Sequence, residues 1–483
     1  MLEGRQISFS YDGLTPVLSS ADLSLKRGEV VLLSGPTGSG KSTLAMCLSG
    51  FIPRSIPGFF QGEILLDSKD TQSLSLSEIS RKVVLVQQDP DSQICTLRIS
   101  DEVAFGPENF LVLPEQIQTV LDSSLASVGA GHLTDRPTYS ISGGEKQRVT
   151  IAAVLSCQPD FMILDEPSAN LDPSGILLLR RILLNLKEKG IGVLCIEHNL
   201  DAIRPAADRI LWMEQGCIQP DYPPISGQQS ERRESTGPRP DRRTLLMASR
   251  VTFSYTTHTA VEDVNLSVQP GEVVALMGDN GSGKTSLLLL LAGLLTPQSG
   301  AIQIGNDLAG HLTRSETARR VSVVFQNPNH QIFERTVLRE QNLTLETLEM
   351  DDAEHLENSA SLLARAGLRE VEQKNPFALS HGQKRRLNVT SVLTHDPDVL
   401  LLDEPFVGQD SEGRKFMIDE ISQRVSKGGA AIVVTHDSSF ALSHCSRIVF
   451  MQEGSILLDG KPEAVFKQLG NMGRTEYLPE VRA

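Results

Sequence analysis

Two stretches of this 483-residue chain share one spacing of glycines, and that spacing constrains the fold more than any other feature. The first reads Gly35-Pro36-Thr37-Gly38-Ser39-Gly40-Lys41-Ser42-Thr43, and the second Gly278-Asp279-Asn280-Gly281-Ser282-Gly283-Lys284-Thr285-Ser286. Four free positions between two glycines, followed by Lys and Ser or Thr, describe a loop whose backbone N–H groups curl around phosphate oxygens. Glycine is needed where the backbone itself must make the approach, because a side chain would fill the space. Lys41 and Lys284 then reach the β- and γ-phosphates of a nucleotide, while Ser42 and Thr285 offer a hydroxyl to Mg²⁺. The flanks fit. Val30-Val31-Leu32-Leu33 and Val273-Val274-Ala275-Leu276 read as buried strands, and Thr43 to Leu48 reads as the start of a helix whose N-terminus favours anions.

The two lysines stand 243 positions apart, and the rest of the chain repeats at nearly the same offset. Phe9-Ser10-Tyr11 returns as Phe253-Ser254-Tyr255, Gln88-Asp89-Pro90 as Gln326-Asn327-Pro328, and Leu164-Asp165-Glu166-Pro167 as Leu402-Asp403-Glu404-Pro405. Glu197-His198 returns as Thr435-His436. Several separate elements in register mean a tandem duplication. The offset shortens by five between residues 50 and 63, which places an extra loop, Ile52 to Phe60, in the first copy. The expected organisation is a first domain over 1–220, a linker over 221–246 and a second domain over 247–483. The linker is inferred from its Pro-containing, polar sequence without helical or strand period.

A net charge of −15 argues against a protein that mainly coats nucleic acid, which needs clustered Lys and Arg. The arginines at 232, 233, 238, 242 and 243 are diluted by acids and read as solvated linker. Six scattered cysteines show no paired metal spacing and suit a reducing compartment. No apolar segment precedes the first strand, so no signal peptide is expected. The longest aliphatic run, Leu287 to Leu295, is far short of the roughly 18 residues that cross a bilayer.

Taken in order, the first copy sets a chemical sequence around its phosphate loop. Residues 1–27 alternate as a small antiparallel element would, and Tyr11 is placed to stack on a purine ring. Gln88 follows the apolar strand Val83 to Val86, where its amide can touch Mg²⁺ and an attacking water. Ser142-Gly143-Gly144-Glu145 opens a helical stretch, offering a hydroxyl and free N–H groups as a second anion-binding end. Phe161 to Leu164 is a buried strand ending in two carboxylates. Asp165 orients Mg²⁺, and Glu166 polarises the water that attacks the γ-phosphate. His198, beyond the next strand, is placed to contact that phosphate. The second copy supplies Tyr255, Gln326, Ser380-His381-Gly382-Gln383, Asp403, Glu404, Asp410 and His436.

In this order the phosphate loop, glutamine loop, Ser-Gly-Gly signature, Leu-Asp-Glu-Pro strand and switch histidine resemble the ATP-binding cassette ATPases over essentially the whole chain apart from the linker. The resemblance implies an α/β fold of two tandem P-loop NTPase domains. Each would have a mainly parallel sheet core, an N-terminal antiparallel β element and a helical signature subdomain. It implies ATP and Mg²⁺ as ligands, and two composite sites that close head to tail. One would set Lys41, Ser42, Gln88, Asp165, Glu166 and His198 against Ser380 to Gln383. The other would set Lys284, Thr285, Gln326, Asp403, Glu404 and His436 against Ser142 to Glu145. Glu145 stands where the family usually has glutamine and His381 where it usually has glycine, so the two sites differ. Because both keep the glutamate after the aspartate, both are expected to hydrolyse ATP.

A narrower resemblance is to the ATPases of energy-coupling-factor importers, which power uptake of vitamins and of cobalt or nickel. It rests on Gln88-Asp89-Pro90-Asp91-Ser92-Gln93-Ile94 and Asp101 to Asn109, and on Leu379-Ser380-His381-Gly382-Gln383-Lys384-Arg385-Arg386. The second copy keeps Gln326 to Ile332 but departs from the Ala104 to Asn109 stretch, reading Val337-Leu338-Arg339-Glu340-Gln341-Asn342. That family implies a transmembrane coupling subunit, a small substrate-binding membrane subunit, and a place on the cytoplasmic face of the membrane. The competing expectations are a soluble twin-cassette protein acting on ribosomes or nucleic acid, and the ATPase of an exporter. Proteins of the first kind typically have a long charged linker, a basic extension, a metal-cluster domain or a coiled-coil insertion, and none of these is expected in this sequence.

Overall fold

The structure, a computed structural model, describes residues 1–169, 171–197, 200–219, 244–256 and 258–479. The chain divides into two units, Met1–Gly227 and Gln228–Ala483. Residues 221–243 of the expected linker lie outside the described residues, and Leu246, its last position, opens the strand Leu246–Ser254.

In the first unit the core sheet has six strands. Their spatial order is Cys217–Gln219, Arg209–Glu214, Val30–Ser34, Gly192–Ile196, Phe161–Asp165 and Val83–Val86. The five from Arg209–Glu214 onward are mutually parallel, and Cys217–Gln219 pairs antiparallel at the edge. Every residue of Val30–Ser34, Phe161–Asp165 and Gly192–Ile196 is buried. This is why these strands read as continuous apolar runs: a parallel strand is covered on both faces. A second, antiparallel sheet is ordered Leu18–Leu25, Leu2–Ser10, Phe59–Leu66 and Lys69–Asp70, and it carries the expected N-terminal β element. Its inward residues Leu2, Ile7, Leu23 and Ile64 pack with Leu44 and Leu48 of the helix Lys41–Leu48. The helices Ile99–Asn109, Pro114–Ser127 and Gly143–Leu155 contribute Val103, Leu121, Leu125 and Val149 to another core, shared with the opposite face of the parallel sheet.

The second unit repeats this plan. Its core sheet runs Val321–Val324, Val399–Asp403, Ala430–Val434, Val273–Gly278, Arg447–Gln452 and Ser455–Gly460, with the last strand antiparallel. Its antiparallel sheet runs Thr259–Val268, Leu246–Ser254, Ser299–Ile304 and Asp307–Leu308.

The segment expected as a loop, Ile52 to Phe60, is more ordered than that. Phe51–Arg54 forms a short helix, Ile52 is buried, and the last two residues of the expected loop already belong to the strand Phe59–Leu66. Apolar Ile52 seats the helix in its own unit, and the Arg54 guanidinium donates to the carbonyls of Thr71 and Leu74.

Candidate functional site

The phosphate loops leave the central parallel strand of each unit and require glycine for two distinct reasons. A Cβ on Gly35 would stand 2.0 Å from the Met213 carbonyl oxygen, and one on Gly278 would stand 2.2 Å from that of Met451. There glycine permits close approach to the neighbouring strand. Gly38 and Gly281, at φ of 83° and 81°, meet nothing within 4 Å, so their requirement is the left-handed backbone. The helices Lys41–Leu48 and Lys284–Leu291 open on Gly40 and Gly283 without any side-chain cap. Their first N–H groups are therefore available to an anion.

Each lysine folds back into its loop. Lys41 Nζ donates to the carbonyls of Gly35 at 2.9 Å and Pro36 at 2.8 Å, and Lys284 Nζ to those of Gly278 at 2.8 Å and Asp279 at 2.7 Å. Both ammonium groups are buried, which concentrates their positive field where phosphates would sit. Thr37, Ser39, Asn280 and Ser282 complete the loops, with Ser39 and Ser282 turned inward and buried. Tyr11 and Tyr255 lie beside these helices. The Tyr11 hydroxyl is 3.2 Å from Thr43 Oγ1, and the Tyr255 hydroxyl is 3.4 Å from Ser286 Oγ. Each ring stands edge-on to a phenylalanine, Phe9 or Phe253, and remains about half exposed.

Thr285 Oγ1 donates to Asp403 Oδ2 at 2.9 Å, joining the end of the phosphate loop to the end of the strand Val399–Asp403. Burial pushes the Asp403 carboxyl up, and the Thr285 hydroxyl and the Lys284 ammonium oppose that push. Two hard oxygen donors at the mouth of a phosphate loop fit Mg²⁺, which takes few protein ligands and completes its shell with water and phosphate oxygens. Ser42 and Asp165 hold the same register in the first unit.

The glutamates follow at once, each with a left-handed backbone: φ is 49° at Glu166 and 48° at Glu404. Their amides donate to Ile196 and Val434 on the next strand, both at 3.0 Å, which fixes the turn that presents each carboxylate. In the first unit Gln88 Nε2 donates to Glu166 Oε2 at 2.7 Å, so the glutamine holds the glutamate directly. In the second unit His436 Nε2 lies 3.4 Å from Glu404 Oε1, while Gln326 is exposed. Burial raises the Glu404 carboxyl to about 8, Asp403 adds to the rise, and Lys284 and Arg385 oppose it. The other expected switch residue, His198, lies outside the described residues.

The signature stretches cap their own helices. Ser142 Oγ accepts from the Glu145 amide at 3.3 Å while Glu145 Oε2 accepts from the Ser142 amide at 2.8 Å, and Ser380 and Gln383 form the same box. Glutamate and glutamine serve that reciprocal cap equally, so Glu145 disturbs no local structure. Gly143 and Gly144, like His381 and Gly382, form the first turns behind these caps. Asp172 and Asp410 likewise cap the following helices, accepting from Gly175 and Gly413.

Several contributors were not singled out by motif. Gln93 and Gln331 bridge the ends of their glutamine loops, accepting from Gln87 and Phe325 at 3.0 and 2.9 Å and donating to Leu85 and Val323. Buried Glu102 gathers the amides of Cys95 and Thr96, and buried Glu340 those of Phe333 and Glu334. Arg385, almost wholly buried, donates to the backbone carbonyls of Glu404 and Gln326 at once. Its counterpart in the first copy is Gln147. Glu197, also buried, accepts from the Ser168 amide at 2.9 Å, and burial lifts its carboxyl to about 8. The repeat alignment, which sets Arg385 against Gln147 and Glu197 against Thr435, was the available signal.

A family model described as ABC transporter matches residues 18–169 and 261–407. A Methanosarcina acetivorans protein provisionally named ABC transporter ATP-binding protein is 33% identical over 96% of this chain and 86% of its own length. A Bacillus subtilis protein provisionally named HMP/thiamine import ATP-binding protein YkoD is 32% identical over 97% of this chain and 93% of its own. Among solved structures, a model of ribosome-bound archaeal Pelota and ABCE1 matches 94% of this chain and 79% of its own at TM-score 0.69 and 22% identity. A structure titled RNase-L Inhibitor matches 94% of this chain and 90% of its own at TM-score 0.63 and 22% identity. At those identities the two structures speak to the fold alone.

Proposed function

The chain belongs to the ABC transporter family, as an ATP-hydrolysing protein with two cassettes, and we propose that it is the motor subunit of a membrane importer of the energy-coupling-factor type. The observation that carries this reading is the end-to-end likeness to a relative named for HMP/thiamine import, which spans nearly all of both chains. The bracing of the first glutamine loop by Gln93 with Glu102 supports it, since these two residues belong to the stretches that resemble such importers, and Gln331 with Glu340 repeats the arrangement in the second copy. Among the described residues no helix is long and apolar enough to cross a membrane. In this reading a transmembrane coupling subunit and a small substrate-binding membrane subunit complete the machine, and the chain sits peripherally on the cytoplasmic face. A vitamin or its precursor, or a metal ion, is the substrate class.

The proposed mechanism assigns each cassette one ATP. The phosphate loop and Lys41 or Lys284 bind the phosphates, and Ser42 with Asp165, or Thr285 with Asp403, would hold Mg²⁺, which neutralises phosphate charge when bound. Glu166 and Glu404 orient the attacking water. Gln88 and His436, each within reach of its glutamate, fix that carboxylate in place. Ser142 to Glu145 and Ser380 to Gln383 would offer their helix N-termini to nucleotide phosphate, and fusion of the halves raises the effective concentration of one cassette for the other. The test is a tagged pull-down from detergent-solubilised host membranes read by mass spectrometry. Recovery of a multi-span subunit with a small membrane protein is expected. Recovery of ribosomal proteins without any membrane protein would overturn the importer reading.

A further inference from the structure

The two phosphate loops are held rigid by different means. At the second position of the first loop, Pro36 fixes its own backbone through its ring while its carbonyl accepts from Lys41. The same position of the second loop is Asp279, whose carbonyl accepts from Lys284. Asp279 has no ring to fix it, but its carboxylate is gripped from a distant part of the same unit. Arg474 Nη1 donates to both carboxylate oxygens at 3.1 and 2.8 Å, and the Tyr477 hydroxyl donates to Oδ1 at 2.7 Å.

The gripping residues are themselves well seated. They follow the helix Pro462–Asn471, and Tyr477 is wholly buried with its ring edge-on to Phe450 at 4.9 Å. Phe450 lies on Arg447–Gln452, the strand beside the one that feeds the phosphate loop. Arg474 Nη2 also donates to Gln452 Oε1 at 3.1 Å. A further bond runs to the other side of the site: Ser438 Oγ donates to the Tyr477 carbonyl at 2.5 Å. Ser438 opens the helix Ser438–His444, two positions after His436.

We propose that the segment Arg474–Tyr477 is a releasable strap on the second phosphate loop, in which Arg474 and Tyr477 are positioning residues that hold Asp279 and, through Ser438, tie the loop to the backbone carrying His436. The strap does for the second loop by side-chain bonds what Pro36 does for the first by covalent geometry. A proline cannot let go, whereas a partly exposed ion pair can. Nucleotide affinity in the second cassette is therefore open to control by whatever displaces this segment, and affinity in the first is not.

The inference rests on the reading that the Lys284 loop binds nucleotide, and the experiment separates the two. The full chain carrying Lys41→Ala is titrated with a fluorescent, non-hydrolysable mant-AMPPNP plus Mg²⁺, so that the second loop reports alone. In that background Arg474→Gln is expected to weaken binding about tenfold and Tyr477→Phe, which keeps the ring against Phe450, about threefold. In the native background the same variants raise KM for ATP and leave kcat near its parent value. Asp279→Pro, which installs the first loop's device, restores affinity in the Arg474→Gln chain and makes it indifferent to residue 474. Parent-like binding in both strap variants, with binding lost in Lys284→Ala, would overturn the strap alone. Weakening by Arg474→Gln that persists in the Asp279→Pro chain would also overturn it, since the arginine would then act on the fold and not through Asp279. Binding retained in Lys284→Ala would overturn the nucleotide reading, and the strap with it.

Discussion

Replacing Arg385 by glutamine, the residue of the first copy, tests whether a buried cation tunes Glu404, the proposed catalytic carboxylate of the second cassette. Arg385 is 1% exposed and bonded to the carbonyls of Glu404 and Gln326, so its charge sits beside the glutamate it supports. Its own burial lowers it only to about 10, and it remains protonated at neutral pH. With the Glu404 carboxyl at about 8, roughly one glutamate in ten is ionised at pH 7. A unit charge several ångströms away at an effective dielectric near 20 is worth about 2 kcal/mol. Loss of the guanidinium should therefore raise Glu404 by about one unit or somewhat more, each unit being about 1.4 kcal/mol. The sign follows: a higher carboxyl value means the anion appears only at higher pH. The ionised fraction at pH 7 falls to about one in a hundred, and hydrolysis in the second cassette falls about tenfold. Total turnover drops by half if the cassettes fire independently and by the full factor if they alternate. The assay is phosphate release at saturating ATP from pH 6.5 to 9, where the variant should recover toward the parent as pH rises. A profile that superposes on the parent refutes the electrostatic argument. A loss of equal size at every pH shows that Arg385 acts only by holding the two carbonyls.

Lys41→Ala and Lys284→Ala should each remove nucleotide binding from their own loop, read as a stoichiometry falling from two to one in equilibrium titration; two bound nucleotides in either variant would contradict the cradle. Glu166→Gln should trap ATP in the first cassette and stall turnover, and normal steady-state hydrolysis would remove Glu166 from its role. His395 is buried against Ser322 and the Ala318 carbonyl, and burial lowers it from 6.5 to about 4. Its folded value lies below its unfolded one, so the second unit should lose up to about 3 kcal/mol as pH falls from about 6.5 to 4, and His395→Gln should flatten that slope in urea unfolding.

The parallel core was legible because its strands are covered on both faces and so read as unbroken apolar runs, each ending in a chemically distinctive residue. Val83–Val86 was found to the residue, and Phe161–Asp165 to within one. The phosphate loops were legible because backbone approach to an anion leaves only glycine. What the sequence hid was tertiary. Arg385 sits in the run Lys384-Arg385-Arg386, which looks like a solvated face, yet the helix turns only its middle member fully inward. Asp279 and Arg474 meet across 195 positions, and no local pattern announces such a pair. The segment from Ile52 to Phe60 looked like a loop because it interrupts the repeat, but an insertion can still bury one isoleucine and extend a strand.

The duplicated fold therefore carries two unlike electrostatic settings, and they pull in opposite directions with pH. Around Glu404 the additional buried group is a cation, Arg385, and the position equivalent to Glu197 is the neutral Thr435. Around Glu166 the additional group is an acid, Glu197, lifted to about 8 by burial, with Glu166 and Asp165 adding to that rise and the Ser168 amide opposing it. At pH 7 Glu197 holds its proton and adds no charge. Above pH 8 it ionises and sets a third carboxylate beside the two proposed to face Mg²⁺ and polyphosphate, so its repulsion grows while Glu404 gains its anionic form. Alkaline conditions should thus shift hydrolysis from the first cassette toward the second, and Glu197→Thr should cancel the first cassette's share of that shift. The signature stretches already differ in sequence, but the larger inequality lies in the buried groups behind the proposed catalytic carboxylates.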